Sequence, residues 1–182
     1  MRHKYVTSAI VLQRTPVSEA ATLVTLITSD LGLIRARAEG LRKPGAKLSS
    51  ALQTLAACEV TLVRGKEGWR LSGALLEENW FSRFSRSERL RAGRITGLIL
   101  QLVHGEAQDS LHAILSEFLA SLPSRTETEQ DTIECLVALR ILAALGLDTG
   151  AIPSALPTQP LSVDERRAIV TRINRGIAAS GL

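Results

Sequence analysis

Leu33-Ile34-Arg35-Ala36-Arg37-Ala38-Glu39 decides how the first half of this 182-residue chain folds. Side chains two apart on a strand share a face, so Leu33, Arg35, Arg37 and Glu39 oppose Ile34, Ala36 and Ala38. One face is charged and the other small and apolar, the pattern of a strand lying between solvent and a core. Working outward, Asp30-Leu31-Gly32 supplies a turn before it, and Thr22 to Thr28 reads as the preceding strand. Tyr5 to Arg14 is the first strand, with Val6, Ser8, Ile10 and Leu12 on one face, and Thr15-Pro16 closes it. Beyond Lys43-Pro44-Gly45, a short helix fits Ala46 to Leu55. Two more strands follow, Ala57 to Arg64 and Trp69 to Leu75, joined by the hairpin turn Gly65-Lys66-Glu67-Gly68. Five strands with a long excursion after the third, from Leu41 to Ala56, match a five-stranded Greek-key barrel of the OB kind. The same count also fits a small antiparallel sheet of another topology.

From Phe81 the period becomes helical. Ser85 or Ser87 opens a helix through Ile95, Leu98, Ile99 and Leu102, and Asp109 or Ser110 opens another that stops at Pro123. Glu129 to Leu145 forms a third, ending at Gly146. After Pro153, Pro157 and Pro160, Ser162-Val163-Asp164-Glu165 is a capping box for a last helix. The expected architecture is α+β, with a barrel over residues 1–80 and a small helical bundle over 81–182.

With 45% apolar residues the chain can fill a packed core. No apolar run approaches the length of a membrane span, and the stretch Ile95 to Val103 is interrupted by Thr96, Gly97 and Gln101, so no span is expected. The basic start lacks the apolar core of a signal peptide, and a cytoplasmic protein is expected. Cys58 and Cys135 stand far apart without metal-ligand spacing, and His3, His104 and His112 are scattered. No phosphate-cradling glycine loop and no catalytic carboxylate pair occurs, so neither an enzyme nor a cofactor is expected.

The charge of +4 is concentrated in the first half. Through Trp80 there are eleven Lys/Arg against seven Asp/Glu, and the remainder holds eleven of each. Arg35, Arg37, Arg42, Lys43 and Lys47, offset locally by Glu39 alone, would lie on one strand face and the connection beside it. Such a surface neutralises phosphates and releases counterions, making a salt-sensitive and sequence-tolerant nucleic-acid grip. The blander reading is a solvated strand and loop. A second cluster, Arg83, Arg86, Arg89, Arg91 and Arg94, either extends this track or pairs with acids of the bundle. Tyr5 and Trp69 are the strand-borne rings able to stack a base, and equally able to pack in a core.

The run Ser18 to Glu78 resembles the N-terminal domain of RecO recombination mediators. The likeness is carried by Glu19, the strand at Thr25 to Thr28, Gly32, Ala38-Glu39-Gly40-Leu41-Arg42-Lys43 and Ala51-Leu52-Gln53. A weaker likeness continues at Ala138 to Asp148. The resemblance implies an OB-fold followed by a helical domain, binding of single- and double-stranded DNA, and annealing of strands coated by single-strand-binding protein. It also implies partnership with RecR in loading RecA. Arg35, Arg37, Arg42, Lys43 and Lys47 would hold DNA, extended by Arg83 and Arg86. Arg140 either meets the acidic tail of single-strand-binding protein or is a helix-surface residue. Glu39 stands where the family commonly has Lys. The place of the family's four-cysteine zinc site holds only Ile152 to Pro160, so zinc is not expected. The chain stops at Leu182, short of the family's usual tail. A function of another class, a protein-protein adaptor with a merely structural barrel, is the alternative.

Overall fold

The computed structural model describes residues 3–41, 47–103, 110–153 and 160–181. The chain divides into two compact units, residues 1–85 with 105–112, and residues 86–104 with 113–182.

The first unit is built on five strands: β1 (Lys4–Pro16), β2 (Ala21–Thr28), β3 (Gly32–Glu39), β4 (Ala56–Gly65) and β5 (Gly68–Asn79). They close into a barrel in the order β1-β2-β3-β5-β4, with β4 returning to β1. All pairings are antiparallel except β3 with β5, which is parallel and spans only Ala36↔Trp69 and Arg37↔Arg70. This is the OB topology, so of the two arrangements open to five strands the chain adopts the Greek-key barrel.

Alternation explains what fills it. Ile34, Ala36 and Ala38 of β3 point inward with Val24, Leu26, Cys58, Val60 and Leu62, while Arg35, Arg37 and Glu39 are exposed. In β1 the face filling the barrel is that of Ala9 and Val11, the alternate set to Val6, Ser8, Ile10 and Leu12. A bulge between Val11 and Gln13 shifts the β1 register there. The Val11 carbonyl accepts a 2.8 Å hydrogen bond from the Leu55 amide, and Leu55 adopts a positive φ of 64° to make it. The helix after β3, α1, is shorter than the periodicity suggests, Lys47–Ala51; Leu48 and Leu52 pack against the barrel interior. At the β2–β3 turn Gly32 has φ 66°, which a glycine tolerates without strain. There the buried Thr28 hydroxyl donates to the Gly32 carbonyl (2.9 Å) and accepts from the Leu31 amide (3.0 Å).

A one-turn helix, α2 (Trp80–Arg83), follows β5 and is capped by Asn79, whose Oδ1 accepts from the Ser82 amide. The remaining helices are α3 (Arg86–Leu102), α4 (Ser110–Ser121), α5 (Glu127–Ala144) and α6 (Val163–Ala179). α4 runs into a 3-10 turn, Leu122–Ser124, that accommodates Pro123 near its start. α5 starts two residues before the expected Glu129, because Thr126 caps it and Glu129 is the returning carboxylate of a capping box. The box at Ser162 and Glu165 forms as expected. α5 is the most buried helix, with Ile133, Leu136, Val137, Leu139, Ile141 and Leu142 shielded from solvent. No helix among the described residues is long and apolar enough to cross a membrane.

Candidate nucleic-acid interface

Register, more than sequence proximity, assembles the basic site. The short parallel seam sets Arg37 of β3 directly beside Arg70 of β5, and residues paired in register project from the same side of a sheet. Arg35 lies two residues earlier on the same exposed face. The β4–β5 hairpin turns at Lys66-Glu67, with Gly65 paired to Gly68, and so brings Arg64 and Lys66 alongside. Together they line an open cleft of about 990 Å3, floored by Val17, Leu23, Val63 and Trp69 and bearing Arg35, Arg37, Arg64, Lys66 and Arg70 against Glu39 and Glu67.

Half-buried, Trp69 touches both the core and the cleft. The Arg64 guanidinium lies over its ring, 4.9 Å from the centroid, and Tyr5 meets it edge-on at 5.2 Å and 79°. Such a column is held by cation–π and edge-to-face attraction, which fixes Arg64 at the mouth of the cleft. Arg35, Arg37 and Lys66 make no ion pair with any described residue, whereas Arg70 Nη2 lies 3.5 Å from Glu39 Oε1. Five cations facing two carboxylates leave an electropositive concavity fitted to a polyanion.

Of the residues expected from sequence, Arg35 and Arg37 stand in this cleft. Arg42 and Lys43 lie outside the described residues, and Lys47 is described only in its backbone, at the start of α1. Arg64, Lys66 and Arg70 were missed, because they contribute to a total of charge in sequence but reach β3 only through barrel closure.

The second arginine cluster divides. α2 ends at Arg83, and Phe84 is extended at φ −76°, ψ 139°, so Arg83 and Arg86 occupy different helices and the cluster does not share one helix face. Arg83 donates to Glu78 Oε2 at 2.6 Å and stacks 5.5 Å from the Trp80 centroid. Arg86 is exposed at the first residue of α3. Arg91 and Arg94 follow the alternative reading and pair with acids of the bundle: both donate to Glu134 Oε2, at 2.7 and 2.8 Å. Arg140 on α5 donates to Glu117 Oε2 (3.0 Å) and to the Pro153 carbonyl (3.1 Å), so its guanidinium bridges elements of the bundle.

Among the described residues no group of three or more His, Cys, Asp or Glu is placed to hold a metal ion. Burial pushes the Cys58 thiol up to about 12, with Glu77 adding to the shift. Burial also raises Cys135 and lowers His112 from their ordinary values.

Residues 1–78 match the family model described as recombination protein O N terminal. The chain belongs to the RecO family. Proteins named DNA repair protein RecO are similar to it. That of Rhodopirellula baltica is 30% identical over 176 residues, 93% of this chain and 63% of its own length. That of Synechococcus elongatus is 33% identical over 131 residues, 71% of this chain and 49% of the relative. That of Dehalococcoides mccartyi strain BAV1 is 44% identical over 64 residues, 35% of this chain and 25% of the relative. The matched stretches thus cover between a quarter and less than two thirds of these RecO proteins. The OB barrel common to this family is the unit carrying the cleft.

Proposed function

We propose that this RecO-family chain is a non-enzymatic DNA-binding recombination mediator acting in DNA repair, and that it grips the DNA backbone in the cleft between β3 and the β4–β5 hairpin. The observation that carries the reading is the convergence of Arg35, Arg37, Arg64, Lys66 and Arg70 on one open concavity of an OB barrel. Phosphates are held by such side chains through charge and hydrogen bonds without reading sequence. The Trp69 ring and the Arg64 guanidinium that line the cleft suit an unpaired strand, whose bases stack on aromatic and guanidinium planes. Double-stranded DNA would meet the same cations through its phosphates. Arg42, Lys43 and Lys47, next along the chain, extend the same grip in this reading, and Arg83 and Arg86 are further proposed DNA contacts. Annealing of coated strands, partnership with RecR and single-strand-binding protein, and help in loading RecA belong to the same proposal. Arg140 is the proposed contact for the acidic tail of single-strand-binding protein.

Fluorescence anisotropy with labelled single- and double-stranded DNA across a salt series tests the reading. Binding that weakens steeply as salt rises is expected. No binding at low salt, or binding indifferent to salt, removes it and leaves the protein-protein adaptor.

A further inference from the structure

Two carboxylates line the cleft, and only Glu39 forms an ion pair among the described residues, its Oε1 3.5 Å from Arg70 Nη2. Glu39 ends β3 on the face of Arg35 and Arg37, and Arg70 is the in-register neighbour of Arg37. The pair therefore bridges the parallel seam in the middle of the cation cluster. Both side chains are more than half exposed, at 59% and 52%. An exposed pair of this kind is held weakly and exchanges partners readily.

We propose that Glu39 is an internal stand-in for a phosphate, occupying Arg70 while the cleft is empty and giving it up to the backbone of a bound strand. The proposal rests on the DNA-binding reading and specifies how that same site is regulated. Its consequence lies in counterion bookkeeping. A phosphate that meets a free cation releases a condensed counterion from the DNA, steepening the salt dependence by about 0.7 in log–log slope for a single strand. A phosphate that takes Arg70 from Glu39 releases the same counterion but leaves a bare carboxylate that recruits one. Arg70 then adds almost nothing to the slope, and affinity is held down. Glu39 thus tunes the cleft toward fast release and tolerance of salt.

The test uses the full chain and fluorescein-labelled oligothymidylate, with anisotropy recorded across a salt series. Glu39→Gln keeps the side chain's size at an exposed position, and a thermal melt checks that the fold is retained. It is expected to tighten binding by about three- to tenfold at low salt and to steepen the slope by about 0.7. Arg70→Gln is expected to matter little alone and to cancel the gain in the double variant, the coupling expected of two groups in direct contact. Glu67→Gln removes the same charge from the same cleft without breaking an ion pair, and is expected to leave the slope as in the parent chain.

Three results overturn the proposal: Glu39→Gln matches the parent in affinity and slope, its gain survives in the double variant, or Glu67→Gln steepens the slope equally. The last two would assign the effect to the general field of the cleft. If the parent chain and every variant fail to bind at low salt, the DNA-binding reading itself falls and the role of Glu39 with it, an outcome distinct from the other three.

Discussion

Charge reversal at Arg35 and Arg37 separates binding from folding, since both side chains are exposed on β3 and neither pairs with a described residue. The variant Arg35→Glu with Arg37→Glu is expected to weaken DNA binding by on the order of tenfold or more with an unchanged circular dichroism spectrum. Unchanged affinity would place the interface elsewhere. Trp69 is different, because it touches both core and cleft. Its truncation would lower stability and binding together, so it cannot serve as a clean probe. Cys58 illustrates the opposite extreme, a side chain wholly inside the barrel. The thiolate is the nucleophile, and a thiol at about 12 is almost entirely protonated at pH 8. Alkylation by iodoacetamide at that pH, read by mass spectrometry, is expected to spare Cys58 in the native protein and to modify it in urea. Native labelling at Cys58 would contradict its burial.

At the scale of elements, the helices depend on their ends and on ion pairs. Thr126→Ala removes a cap and one half of the box at the start of α5, and is expected to cost about 1 kcal/mol in denaturant unfolding. α6 is held to its unit by Arg166 with Asp131 and by Arg172 with Asp148, pairs that draw both carboxyls below the usual carboxylate range. Because these groups titrate lower folded than unfolded, their contribution is fully present above the unfolded value of 3.8 and is lost as pH falls through the lower folded values. Thermal melts are expected to drop over that acidic window, and Asp148→Asn to flatten part of the drop. A melt as pH-dependent in Asp148→Asn as in the parent would deny the pair this role. Gly176 permits the close approach of α6: a Cβ there would sit 3.0 Å from Leu142 Cδ1 and 3.2 Å from the Leu147 carbonyl. A branched residue at that point is expected to loosen α6.

Across the molecule, charge is divided by role. The first eighty residues carry the excess of cations, whereas the later half is balanced, and Arg91 and Arg94 spend their charge on Glu134. Arg94→Gln is therefore expected to lower thermal stability while leaving DNA affinity and its salt slope intact; a shallower slope would join Arg94 to the interface. With four cations in the cleft that hold no described carboxylate, the cleft's own share of the slope for a single strand is expected to be no steeper than about −2.8. The local elements were legible in the sequence because each is governed by neighbours along the chain. The period of two in Leu33 to Glu39 reports one charged and one buried face, and Ser162 with Glu165 marks a helix start within four residues. What tertiary structure alone decided is which strands adjoin. The β3–β5 seam spans two residue pairs separated by more than thirty positions, and no local signal encodes such a register. That seam places Arg70 beside Arg37 and Glu39, and the hairpin brings Arg64 and Lys66 to the same mouth. Sequence therefore determined that the chain would present Arg35 and Arg37 on an exposed strand face. Barrel closure decided that they would belong to a five-cation cleft with its own competing carboxylate, because charges far apart along a chain act together only when folding brings them within each other's field.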